Sequence, residues 1–219
     1  SWQDMAMDLL AGLNQQSITT TIALGHSFGA TVSLMAAVHA PERFRALILL
    51  DPALFAPERV AAMKRAQATG DYANPLVERA IKRRSRFGSA EEAHRYWRSR
   101  PLFAGWPEAA LRLYTQSALE TSPDGRGLVL RWSPEWEAYY FSTGFTRSWE
   151  VAPKLRGLLP TLAIGGGTTD TYVPEIAAML RDTLPEVTFA DVPGHGHLFP
   201  QSAPEATTAI ISAWLDTLK

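Results

Sequence analysis

The stretch "TTTIALGHSFGATVSLMAAVHAP", residues 19–41, constrains the fold more than any other part of the chain. Thr19 to Leu24 is a short β-branched and apolar run, the pattern of a buried strand. Ala30 to Ala40 is rich in helix formers and is closed by Pro41. Between the two lies Gly25-His26-Ser27-Phe28-Gly29, a G-x-S-x-G corner that holds a serine hydroxyl out of a sharp strand-to-helix turn. The serine needs a strained backbone there, and the glycines are expected where strand and helix pass too closely for a Cβ. The helix start aims its first amides and the positive end of its dipole at an anion forming on Ser27.

What flanks this corner sets the fold class. "RALILLDP" gives a second buried strand, Ala46 to Leu50, ending at Asp51 and Pro52. Strand, helix and strand, with both strands apolar throughout, is a parallel βαβ unit covered on both faces. Upstream, Trp2, Met5, Leu9, Leu10 and Leu13 recur at helical spacing. Residues 54–150 change character: they read as helical, are loaded with Arg and Glu, and hold five of the seven tryptophans, with "TSPDGRG" as a turn cluster. Alternation of strand and helix then resumes, with strands from Thr161 and over Val187 to Val192. Helices follow over Val173 to Leu184 and Pro204 to Leu218. The expected class is α/β, a parallel sheet flanked by helices, with a core of residues 1–53 and 151–219 interrupted by a helical cap, 54–150.

A serine hydroxyl is a weak nucleophile until a base takes its proton. "PGHGHLFP" follows the last strand and offers two histidines, of which His197, just ahead of the closing helix, is the expected base and His195 the lesser candidate. The third member must hold the imidazole in one tautomer. "AIGGGTTDTYVP" places Asp170 in the loop after a buried strand, giving the order Ser27, Asp170, His197. Asp51, also at a strand end, competes with it. Gly165 to Gly167 lack the G-K-[ST] of a phosphate loop and read as a tight turn at a strand end. His26 is expected beside the corner, lining the site.

The formal charge of −1 and the absence of cysteine narrow the partners. They leave no thiolate metal site and no cysteine nucleophile, and no strong field for nucleic acid. The basic run Lys82, Arg83, Arg84, Arg86, Arg95, Arg98 and Arg100 is interspersed with Glu78, Glu91 and Glu92 and reads as a solvated face. No apolar run approaches the ~20 residues of a membrane span and no signal-peptide pattern is visible, so a cytoplasmic chain without a membrane partner is expected.

Taken together, "GHSFGA", "PERFRALILLDP", "PTLAIGGGTTDTYVP" and "PGHGHLFP…PEATTAIISAWL" resemble, in order, the lidded serine hydrolases of the α/β-hydrolase superfamily, esterases and C–C bond hydrolases among them. The resemblance implies Ser27 as nucleophile, Asp170 as acid, His197 as base and the amide of Phe28 as an oxyanion donor, with no metal or cofactor. It implies an apolar small-molecule ester as substrate, with His26, Trp97, Trp132, Trp136 and Tyr140 lining its pocket. The alternative for the aromatics is the cap's own core. C–C, thioester or lactone bonds suit the same triad, and a non-catalytic ligand receptor is the reading from another class. The family's N-terminal strands, and the loop bearing its second oxyanion amide, have no counterpart in this sequence. The "TTTIAL" edge is therefore expected to need a complementary segment or a second copy of the chain.

Overall fold

The computed structural model of the protein describes residues 1–69, 74–144 and 146–218. The chain opens with helix α1 (Trp2–Gln15), started by a capping box in which Ser1 and Asp4 exchange hydrogen bonds, and buries Trp2, Ala6, Leu10 and Leu13. Strand β1 (Thr21–His26) runs into helix α2 (Phe28–His39), and β2 (Phe44–Leu50) follows parallel to β1. Helix α2 has almost no polar face because it is covered on both sides: Ala30 to Ala37 are all buried, between the sheet and α1.

The region from Leu54 to Glu150 holds α3 (Pro57–Thr69), α4 (Pro75–Ile81), β3 (Arg86–Phe87), α5 (Ala90–Arg98), α6 (Glu108–Ala118), β4 (Leu119–Thr121), β5 (Leu128–Leu130) and α7 (Pro134–Ser142), and enters α8 (Ser148–Val151). It departs from the helical expectation by one small antiparallel sheet, of order β3-β5-β4. Strands of two or three residues are too short to display alternation, so the sequence pattern passes over them. "TSPDGRG" closes the β4–β5 hairpin: the Ser122 amide donates to the Gly127 carbonyl at 3.0 Å, and Gly125 and Gly127 take φ of 70° and 83°. Phe87, Trp97, Phe103, Trp106 and Leu111 pack into a core of this region's own.

The main sheet is then completed by β6 (Thr161–Gly166) and, after α9 (Pro174–Thr183), by β7 (Thr188–Val192); α10 (Phe199–Ser202) and α11 (Pro204–Asp216) end the fold. The strand order is β1-β2-β6-β7, all parallel, with β1 at one edge and Leu24 on it exposed. Alternate residues of β2 serve opposite faces. Leu47 and Leu49 pack with α1, α2 and α9, whereas Ala46, Ile48 and Leu50 pack with Phe199, Ala203 and Trp214 of the C-terminal segment. Both faces of β2 are buried there, which is why Ala46 to Leu50 is an unbroken apolar run. Because the strands are parallel, they end on one side, and the loops after β1, β2, β6 and β7 meet there.

Candidate active site

Ser27 stands at the corner between β1 and α2 with φ 55° and ψ −120°, a conformation a non-glycine residue adopts only at a cost. The surrounding backbone holds it: its amide donates to the Leu50 carbonyl at 2.9 Å, and its own carbonyl accepts from the amides of Ala30 and Ala53. The glycine requirement is one-sided. A Cβ on Gly25 would lie 2.3 Å from the Gly29 carbonyl oxygen, whereas a Cβ on Gly29 would meet nothing within 4 Å. Strand and helix do pass too closely, but only the first glycine answers for it. The Phe28 amide, in the first turn of α2, meets no acceptor among the described residues.

From the β7–α10 loop, His197 Nε2 comes to 2.9 Å from Ser27 Oγ, and His197 Nδ1 to 2.7 Å from Asp51 Oδ1. The protons follow from the partners. A carboxylate only accepts, so Nδ1–H donates to Asp51, and in the neutral ring Nε2 is left to accept from the Ser27 hydroxyl. The three side chains arrive from the ends of β1, β2 and β7.

Asp51 is 0% exposed and the first residue past β2, with φ 44°. Its amide donates to the Ile164 carbonyl at 2.7 Å, which turns the side chain back over the sheet end. Its second oxygen accepts from the Gly166 amide at 2.8 Å, and Oδ1 also accepts from Thr169 Oγ at 2.7 Å. Burial pushes the carboxyl up, but the bonds from His197, Thr169 and Gly166 outweigh it and hold Asp51 below its ordinary value. An ionised, fully hydrogen-bonded carboxylate stabilises positive charge on the ring it faces.

This corrects the expectation for Asp170. Asp170 is exposed, and among the described residues its Oδ1 accepts a hydrogen bond only from the neighbouring Thr171 hydroxyl, at 3.3 Å. The loop after β6 does reach the site, but through Thr169, whose hydroxyl donates to Asp51 while accepting from the Thr171 amide. Gly165 and Gly166 are the last residues of β6, and the turn expected at this strand end begins at Gly167. A Cβ on Gly166 would lie 2.5 Å from the Gly196 carbonyl oxygen, so glycine is required where the histidine loop crosses the strand end.

The profile of the alpha/beta hydrolase family matches residues 1–210. The chain belongs to the alpha/beta hydrolase family. Comparison with curated proteins finds no match. Among solved structures, the hydrolase is similar to E-2-(acetamidomethylene)succinate hydrolase, at 23% identity and TM-score 0.70, covering 99% of this chain and 74% of that one. It is similar to a thermophilic esterase from Thermogutta terrifontis at 23% identity and TM-score 0.65, covering 100% and 73%. For an esterase from Mycobacterium tuberculosis the values are 19% and 0.71, covering 99% and 69%. At these identities the likeness is one of fold.

Elsewhere the hydrolase divides the expected residues into those that meet the site and those that do not. His195 turns away from Ser27 and meets Ser202 Oγ at 2.9 Å, anchoring its loop to α10. Trp97, expected in the pocket, is instead 2% exposed inside the core of residues 54–150, among Phe87, Phe103 and Tyr114. Tyr140 lies 5.3 Å from the Phe28 ring, centroid to centroid, beside the nucleophile corner. Trp132 and Trp136 stack on Tyr140 at interplanar angles of 26° and 21°, and remain 46% and 56% exposed. An aromatic ladder thus runs outward from Phe28. His26 is half-buried, with Nε2 2.8 Å from the His197 carbonyl oxygen. Thr169 and the Gly166 amide escaped the sequence reading, because a threonine beside an aspartate in a loop carries no pattern of its own.

The basic run is largely occupied within the chain. Arg83 pairs with Glu137 at 2.7 Å, Arg84 with Glu92, Arg86 with Asp124 at 2.7 Å and Arg98 with Glu108 at 3.0 Å. Among the described residues no three His, Asp or Glu side chains gather as a metal site, and no helix is long and apolar enough to cross a membrane.

Proposed function

We propose that this alpha/beta hydrolase is a serine hydrolase that cleaves carboxylic esters of apolar small molecules through Ser27, His197 and Asp51. The observation that carries the reading is the unbroken relay Ser27 Oγ, His197 Nε2 at 2.9 Å, His197 Nδ1, Asp51 Oδ1 at 2.7 Å. His197 takes the hydroxyl proton as Ser27 Oγ attacks the carbonyl carbon. The tetrahedral oxyanion is met by the Phe28 amide and the positive end of α2, and Asp51 stabilises the imidazolium. His197 returns the proton to the leaving oxygen, the alcohol departs, and water hydrolyses the acyl-enzyme by the same two proton transfers. Esterases among the structural neighbours support an ester substrate. The exposed faces of Trp132 and Trp136, continuous with Phe28 through Tyr140, support an apolar one.

The test is labelling and turnover. A fluorophosphonate probe should modify the chain at Ser27, and Ser27→Ala should lower hydrolysis of a short p-nitrophenyl ester on the order of 10⁶-fold with unchanged circular dichroism. Undiminished hydrolysis by Ser27→Ala would sink the assignment. Probe labelling without ester turnover would point to a ligand receptor on the same fold.

A further inference from the structure

His26 stands immediately before the nucleophile, and the reaction above makes no use of it. Its side chain spans the gap to the base. Nε2 lies 2.8 Å from the His197 carbonyl oxygen, and the two rings are 4.8 Å apart at 36°. A carbonyl only accepts, so Nε2 of His26 carries the proton and donates. The β7–α10 loop has other ties. The Thr168 amide donates to the His195 carbonyl at 2.9 Å, His195 meets Ser202, and the Phe199 amide donates to the Gly196 carbonyl at 3.0 Å. Each of these holds a residue one or two positions before His197. The bond from His26 holds the backbone of the base itself, and it does so from the residue adjoining Ser27. One side chain therefore connects the two backbones whose separation sets the distance from Oγ to Nε2.

We propose that His26 is a positioning residue, whose Nε2–H···O=C bond to His197 keeps the base in line with Ser27 through the catalytic cycle. The inference rests on the Ser27–His197 reading above. His26 faces two titratable groups, His197 and Asp51, and burial lowers its own affinity for a proton. A neutral ring suits the task, because a cation at that place would oppose the positive charge His197 acquires when Ser27 attacks. A displacement of about 1 Å between reacting groups costs on the order of 10²-fold in rate, which sets the scale of the expected effect.

The test compares His26→Gln, which can place an amide N–H near the position of Nε2, with His26→Phe, which keeps a ring but no donor. His26→Leu, too small to overpack the site, is measured in parallel. With p-nitrophenyl butyrate, the Phe and Leu variants should lose about 30–100-fold in kcat with KM within about twofold of wild type. The Gln variant should recover to within about fivefold. A second readout needs no turnover: the downfield proton resonance of His197 Nδ1–H, bonded to Asp51, should persist in wild type and Gln and broaden in Phe and Leu. Equal losses in all three variants, or an effect confined to KM, would overturn the positioning role in favour of packing or substrate contact. If wild type shows no ester turnover, the ester reading falls and the resonance alone decides. Loss in Phe and Leu with retention in Gln supports the clamp, and retention in all four proteins overturns it.

Discussion

Two neighbouring strands of the sheet, β2 and β6, each run into a loop bearing an aspartate, and the two loops have opposite outcomes. Asp51, the first residue past β2, is fully buried and accepts hydrogen bonds from His197, Thr169 and the Gly166 amide. Asp170, four residues past the end of β6, is exposed, and its carboxylate accepts from the Thr171 hydroxyl. A place after a strand nominates a carboxylate, but the backbone decides which way it points. At Asp51 a φ of 44° and the hydrogen bond its amide donates to the Ile164 carbonyl turn the side chain over the sheet end. In the loop after β6 the inward place is taken by Thr169, leaving the adjacent carboxylate to solvent. The two loops thus cooperate, one giving the charge and the other the donors that keep it ionised.

Swapping the charge is the sharpest way to break this contrast. Asp51→Asn should lower kcat about 10³–10⁴-fold, because an amide facing Nδ1 disrupts the required tautomer and cannot offset the charge of the imidazolium. Steady-state kinetics on a p-nitrophenyl ester measure it. A loss confined to Asp170→Asn would return the acid to the loop after β6.

A second prediction concerns the crossing of the histidine loop over β6. In Gly166→Ala the new Cβ must displace the Gly196 carbonyl, 2.5 Å away, at a cost of about 1–3 kcal/mol of stability together with a roughly 10–100-fold loss of kcat. Gly196→Ala is the control. Its Cβ would sit an ordinary 3.6 Å from the Thr168 carbonyl oxygen, and both quantities should stay near wild type. Thermal unfolding and kinetics on the two variants separate crowding at the strand end from any general effect of alanine in this loop.

The acid limb of stability should report Asp51 next. Its carboxyl is held below the ordinary value in the folded chain, so the unfolded chain binds this proton first as pH falls. The contribution is complete above the unfolded value of about 3.9 and is lost as pH drops through the folded one. Urea unfolding of wild type and Asp51→Asn should therefore give a constant difference at neutral pH that narrows only in the acid range. A difference that widened on acidification would contradict the depressed pKa. The smallest expected effect is that of Asp170→Asn, within about twofold in kcat and about 0.5 kcal/mol in stability, as for an exposed residue outside any network.

The corner at Ser27, the loop that carries His197 and the α/β class were legible because each rests on local pattern. A buried strand, a glycine, a serine and a helix start must be contiguous to make the corner. Asp51 was legible only as one of two strand-end carboxylates. Thr169, the Gly166 amide and the tie from His26 to His197 were not legible, since each joins strand ends far apart in sequence. Trp97 was misplaced for a related reason. An aromatic on a helix between residues 54 and 150 serves that region's own core or the site according to which face packs, and Phe87, Phe103 and Tyr114 claim Trp97 from other elements.

By itself the sequence determined the periods, the alternation of strand and helix, and the steric need for glycine at the nucleophile corner, all of which are set within a few residues of backbone. The tertiary structure alone decided which carboxylate faces the base, which threonine supports it and which aromatics stay open to solvent. Those choices depend on the register of four parallel strands and on loops joined by hydrogen bonds of 2.7 to 2.8 Å, where one added Cβ or one turned peptide changes the neighbour, and no local pattern encodes contacts between segments more than a hundred residues apart.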